Sequence, residues 1–268
     1  MRPVLIVAPP YNRLDSHVKA LHLLCHYLNE AGAEAYLTTE VMNPNLSTVH
    51  SWKAPYNAIT VYPESVSGHP YGTPRYARWI LGTRRKTGNE WLDDERVFIF
   101  SNRYRDLAEP LTSKPLNVLW VPTFNYHEFC KPEGEDRLGY AVYMQDMSKL
   151  PDWYDPTFST IIRKDRPISE REMVGLFQHS ELFITDDVST SMIDEARMCG
   201  CPVWVTSGLA PGDNYGAIEY GDAGVCFSED DIALAVKGVG SFRKQYLDYT
   251  KNLGSMLRRF MEVMNDLS

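Results

Sequence analysis

Residues Thr185 to Val205, TDDVSTSMIDEARMCGCPVWV, gather the side chains of this chain best suited to holding a charged, hydroxyl-rich ligand. Leu182, Phe183 and Ile184 precede them as a short buried-strand pattern, and Val203 to Val205 follow as another. Between the strands Met192, Ile193, Ala196 and Cys199 lie on one helical face, with Ser189 or Thr190 as the capping hydroxyl. Gly200 ends that helix and Pro202 prevents its continuation. A strand, a tight turn and a helix that opens on hydroxyls form a seat for phosphate, because the first helical amides have no partner within the helix. Asp187 and Glu195 are eight residues apart. If both are helical, that is a little over two turns and puts them on roughly one side. One acid then suits a sugar and the other a ribose diol.

Elements of alternating type must position these groups. Pro3 to Ala8 reads as a first strand and Ser16 to Ala31 as a helix with Val18, Leu21, Cys25 and Leu28 inward. Ala35 to Thr39, Ala58 to Tyr62, Val97 to Ser101 and Leu116 to Val121 read as further strands. The polar stretch Lys131 to Arg137 reads as a linker, and a second pattern starts at Tyr140 to Met144. Ser169 and Glu172 form a capping box. Strand and helix in alternation predict an α/β architecture with parallel sheets. Near the end, Phe242, Tyr246, Tyr249, Leu253, Met256, Phe260 and Met264 recur at three- and four-residue steps. That is one amphipathic helix, whose outer face mixes both charges.

Composition narrows the class. With 268 residues, 44% hydrophobic and 12% aromatic, the chain can bury a core and is not disordered. No apolar run reaches the ~18–20 residues of a membrane span, and MRPVLIVAPPYN reads as a strand rather than a signal peptide. Five cysteines do not make a disulfide framework. Cys199 and Cys201 read as buried thiols, and no spacing suggests a zinc site, so the expected compartment is reducing and cytoplasmic. The net charge is −8, and residues 1–130 carry 13 basic and 12 acidic side chains. Nucleic-acid binding by the whole chain is therefore disfavoured, although the near-neutral first half stays open to it.

The acid, the spacing and the stop together resemble the nucleotide-sugar signature of the GT-B glycosyltransferases, the family 4-like or group 1 set. Asp187, Glu195-Ala196 and Gly200-Cys201-Pro202-Val203 match that pattern in order and spacing. The chain departs from it in having aspartate at 187 and Val188, Ser189 and Thr190 where glycines are common. A second match is VYPE at 61–64, followed by Gly68-His69-Pro70 and Arg78-Trp79. The resemblance implies two Rossmann-like domains facing across a cleft: residues 1–130 on the acceptor side and residues 131–241 on the donor side. It also implies a C-terminal helix, residues 242–268, crossing back to the first domain.

The resemblance implies a metal-independent, retaining transfer from a nucleotide-diphosphate sugar, UDP-sugar foremost, with no other cofactor. Arg163 and Lys164, adjacent cations after two isoleucines at a strand end, would hold the diphosphate with the amides at Ser189, Thr190 and Ser191. Glu195 would take the ribose hydroxyls, and Asp187 would orient the donor sugar. Asp15, His17 or Glu64 would be the base if the enzyme inverts, although Asp15 equally fits a plain helix cap. Tyr62, His69, Arg75 and Arg78 would face the acceptor, a glycan hydroxyl. An alternative acceptor is a hydroxylated base of modified DNA, with Arg75, Arg78 and Arg84-Arg85-Lys86 on phosphates. A nucleotide-sugar epimerase and a non-catalytic sugar-nucleotide binder are further alternatives.

Overall fold

The computed structural model describes residues 2–51, 53, 55–82, 95–131, 136–166, 168–209 and 213–266. The chain divides into two compact units, one made of Met1–Thr123, Pro211–Glu219 and Thr250–Ser268 and the other of Phe124–Ala210 and Tyr220–Tyr249. Arg84, Arg85, Lys86 and most of the expected linker lie outside the described residues.

The first unit is built on a seven-stranded parallel sheet. Its strands are β1 (Val4–Ile6), β2 (Ala35–Leu37), β3 (Val49–His50), β4 (Ile59–Pro63), β5 (Arg75–Ile80), β6 (Arg96–Ile99) and β7 (Asn117–Val118). They lie in the order β3-β2-β1-β4-β5-β6-β7, so the order reverses between β1 and β4. Helix α1 (Ser16–Glu30) starts where the Asp15 carboxylate accepts the His17 and Val18 amides. Its buried face packs on the sheet with Val4, Ile6, Val61 and Trp79.

Two strands were not anticipated. β3 is two residues long, and β5 carries Arg75 and Arg78, two of the residues expected to face an acceptor. β5 hides its strand character because Arg75 and Arg78 interrupt the apolar pattern. Arg78 is nonetheless fully buried, since Glu95 pairs with it through Nε at 3.0 Å and Nη2 at 2.8 Å. A short α2 (Arg105–Ala108) follows β6. Residues 213–219, far along the chain, complete this end of the unit. Arg103 Nε donates to Asp213 at 2.9 Å, and Glu219 accepts Ser101 Oγ at 2.8 Å and the Asn102 amide at 2.7 Å.

The second unit has five parallel strands: β8 (Tyr140–Tyr143), β9 (Ser159–Ile161), β10 (Leu182–Thr185), β11 (Val203–Val205) and β12 (Val225–Cys226). Their order is β12-β11-β10-β8-β9, with the reversal between β8 and β10. Helix α3 (Glu170–His179) opens on the expected Ser169/Glu172 capping box. Helix α4 (Met192–Met198) ends at Gly200, whose φ of 73° is open to glycine without strain.

The C-terminal region forms two helices rather than one. α5 (Ile232–Thr250) belongs to the second unit, where Phe242 and Tyr246 are buried. α6 (Leu253–Asn265) belongs to the first and inserts Leu257, Phe260, Met261 and Met264 into its core, with Phe260 edge-on to Phe98 at 5.1 Å. Among the described residues no helix is long and apolar enough to cross a membrane. Cys25, Cys199, Cys201 and Cys226 are buried free thiols, and burial pushes Cys25 and Cys201 up to about 12.

Candidate functional site

In a parallel α/β sheet, ligands settle beyond the carboxyl ends of the strands at the point where strand order reverses, because the flanking loops there part to opposite sides. Each unit carries chemistry at that point.

In the second unit the point lies between β8 and β10. On the β9 side of that point a hollow of about 590 Å³ is lined by Tyr143, Gln145, Ile161, Arg163, Lys164 and their neighbours from the ends of β8 and β9. The structure thus places Arg163 and Lys164 together at a strand end, on one wall. They are not equivalent. Arg163 is already held by Asp165, with Nε at 3.0 Å and Nη2 at 2.9 Å. Lys164 Nζ stands 5.8 Å from the centre of the Tyr143 ring and has no carboxylate partner among the described residues. It is the more available point charge of the two.

Beside the hollow, the turn after β10 is built differently from the expected phosphate seat. Residues 186–191 are a turn, not helix, so Glu195 lies in the first turn of α4 and the helical spacing from Asp187 does not apply. Asp187 Oδ1 accepts the Ser189 amide at 3.0 Å, and the Asp187 carbonyl accepts the Thr190 amide at 3.3 Å. Thr190 Oγ1 accepts the Met192 amide at 3.3 Å, whereas Ser189 caps nothing. Most of the amides expected to bind phosphate are therefore engaged within the turn. Ser191 is the N-cap residue, and its hydroxyl donates to Glu195 Oε1 at 3.0 Å. Glu195 is 3% exposed, and its Oε1 is engaged at the start of its own helix.

Asp186, the acidic neighbour of Asp187, is turned to backbone. It accepts the Gln145 amide at 2.7 Å and the Asp146 amide at 3.0 Å across the gap between β8 and β10. Gln145 Nε2 lies 3.4 Å from Asp187 Oδ2. The sequence pattern alone does not mark Gln145, Tyr143 or Asp165. Their signal, a strand-end position in the second sheet, emerges only once strand order is known.

In the first unit the point lies between β1 and β4, and Glu64 follows directly on β4. Its carboxylate is 4% exposed and accepts the Leu81 amide at 3.1 Å from the end of β5. Burial raises its pKa, opposed by the nearby His17 and by backbone amides that include those of Leu81 and Gly82. The His17 imidazole lies so close to Gly82 that a Cβ there would stand 2.5 Å from Nε2. A side chain there would displace the His17 ring from its present position. Asp15 serves as the α1 cap, which occupies its Oδ1.

The four residues expected to face an acceptor separate. Tyr62 is fully buried and its hydroxyl accepts the Tyr71 amide at 3.1 Å. Arg78 is consumed by Glu95 and by the carbonyls of Pro63, Val66 and Gly68. These two hold the 63–68 loop from within and are not presented to a ligand. Arg75 donates to the Met264 and Asn265 carbonyls at the end of α6, a cation placed against a helix C-terminus. His69 is exposed and stacks on Tyr76, with ring centres 4.7 Å apart. Among the described residues no group of three or more His, Cys, Asp and Glu side chains is gathered as metal ligands.

No family model matches the chain, and no curated protein does. Among solved structures it is similar to a glycosyltransferase from Rickettsia africae ESF-5, with a TM-score of 0.60 and 12% identity over 100% of this chain and 99% of that one. The spinosyn rhamnosyltransferase SpnG aligns with a TM-score of 0.42 at 12% identity, over 99% of this chain and 96% of that one. That score is too low to bear on the fold. The first likeness shows the fold: two α/β units on parallel sheets, the architecture expected of the GT-B class.

Proposed function

We propose that this chain moves a glycosyl group from a nucleoside-diphosphate sugar to an acceptor hydroxyl, with the second unit binding the donor. The observation that carries the reading is the hollow at the ends of β8 and β9, which pairs the unneutralised Lys164 with the Tyr143 ring beside the Asp187 turn. The fold shared with a glycosyltransferase supports it by analogy.

The hollow's mixed apolar and cationic wall suits a nucleoside with its phosphates at one end. Lys164 then supplies charge to the diphosphate, whose departing oxygen gains negative charge as the glycosidic bond breaks. Arg163 joins it by exchanging the Asp165 carboxylate for phosphate oxygens, an exchange of like geometry because both are bidentate oxyanions. Asp187 orients the donor sugar's hydroxyls. In a retaining course a leaving-phosphate oxygen takes the acceptor's proton. In an inverting course Glu64, beside His17 and with its proton affinity raised by burial, is the base. UDP-sugars are the first donors to test. A glycan or small-molecule hydroxyl is the first acceptor to test, since among the described residues Arg78 is buried and Arg75 is engaged by α6.

Thermal unfolding with UDP-, GDP-, ADP- and dTDP-sugars tests this. A donor at ~100 times its Kd adds roughly 2.7 kcal/mol of stability, and a tenfold loss of affinity in Lys164→Ala removes about half of that gain. A panel without any shift contradicts the reading. So does donor turned over alone to an isomer, as an epimerase would, or donor bound but never consumed with any acceptor.

A further inference from the structure

The paired strands β8 and β10 part after the register pair Tyr143 and Thr185. Beyond it one chain turns toward β9 and the other toward α4 and β11, on opposite sides of the reversal. Amides just past the last pair lose their sheet partners and need other acceptors. Asp186 supplies both, taking the Gln145 amide on Oδ1 and the Asp146 amide on Oδ2. Its side chain is 3% exposed, and Lys149 Nζ lies 3.8 Å from Oδ2.

The segment that Asp186 grips is the one that walls the hollow, through Tyr143, Met144, Gln145 and Met147. Gln145 then reaches back to Asp187. One carboxylate therefore links the hollow's wall to the turn beside it, and two adjacent acids divide the work: Asp186 turns inward to backbone, Asp187 outward to a side chain and the Ser189 amide.

We propose that Asp186 is a positioning residue of the donor site, holding the Gln145–Asp146 backbone so that hollow and turn bind one ligand. The nucleoside diphosphate lies in the hollow and the sugar lies at Asp187. This rests on the donor-binding reading above.

The test compares the unsubstituted protein with Asp186→Asn, Asp186→Ala and Gln145→Ala, using UDP, GDP, ADP and dTDP as probes in calorimetry. It adds amide exchange at Gln145 and Asp146 without ligand, and KM for donor and acceptor. Asparagine keeps the size but sets an NH₂ against one backbone N–H, so one of the two charge-assisted bonds is lost outright. Expected are faster exchange at both amides and about tenfold weaker binding of the preferred nucleotide, since such bonds are roughly twice as strong as neutral ones. The donor KM rises and the acceptor KM does not. Gln145→Ala, at an exposed position, weakens donor binding without altering exchange at Asp146. It keeps the test open should Asp186→Ala fail to fold.

A merely structural Asp186 would lower the unfolding midpoint while the folded protein bound nucleotide unchanged, and that result overturns the proposal. If the unsubstituted protein binds none of the four nucleotides, the donor reading has failed and the inference falls with it. If it binds one and both Asp186→Asn and Gln145→Ala bind equally well, only the inference falls.

Discussion

Lys164 and Arg163 stand side by side, yet they have different amounts of charge left to give. Arg163 begins with a carboxylate to displace, and Lys164 begins with only the face of Tyr143. Lys164→Ala should weaken nucleoside-diphosphate binding about tenfold, and Arg163→Ala less, because an exposed bidentate pair already offsets its charge. Titration calorimetry gives both values, and the reverse order would contradict the assignment. Glu64 makes a prediction in pH. Burial holds its folded pKa above the ordinary 4.5, against the pull of His17 and the neighbouring amides. In the window between those two values the folded state binds more protons than the unfolded one, so stability falls as pH rises. Below 4.5 both states are protonated and the effect vanishes. Glu64→Gln should therefore flatten the loss of stability as pH rises above 4.5 in urea titrations. Glu219, also raised by burial, acts in the same direction and leaves part of the slope in place. An unchanged slope would show that Glu64 does not titrate as its surroundings require.

Elements built on apolar runs were legible in the chain, and those built on paired charges were not. β1, β4, β6, β10 and β11 announce themselves because their buried residues are consecutive and aliphatic or aromatic. β5 does not, because its burial depends on Arg78 meeting Glu95, a partner seventeen positions away in the sequence. Arg78→Ala leaves that glutamate charged and unpaired in the core and should cost about 3–5 kcal/mol, measured as a fall in the urea midpoint. A change under about 1 kcal/mol would place the pair on the surface instead. The start of α4 was misread for another reason. Ser189, Thr190 and Ser191 are all competent caps, and spacing alone cannot tell a helical turn from the hydrogen-bonded turn that Asp187 makes. The break between α5 and α6 was hidden because Tyr249, Leu253 and Met256 keep helical phase across it.

At the scale of the whole molecule, the two-unit α/β plan was legible in the alternation of patterns, but a single boundary near residue 130 was not enough. The first unit also takes in 211–219 and 250–268, through contacts whose partners lie more than a hundred residues apart, such as Arg103 with Asp213 and Phe98 with Phe260. Such pairings have no local trace in sequence. Phe260→Ala should cost about 3–5 kcal/mol, because α6 then leaves a cavity in the core it shares with β6. Calorimetric unfolding checks this, and a loss below about 1 kcal/mol would mean α6 packs loosely. The proposed donor site is likewise a product of strand order, since Lys164, Gln145 and Asp186 come into one region only because β8 lies between β9 and β10. A crystal structure of the protein soaked with the nucleoside diphosphate it binds most tightly tests that assignment directly. The account predicts phosphate oxygens within hydrogen-bond reach of Lys164 Nζ, with the nucleoside in the hollow between Tyr143 and Ile161. A nucleotide bound elsewhere, with that hollow vacant, would contradict it.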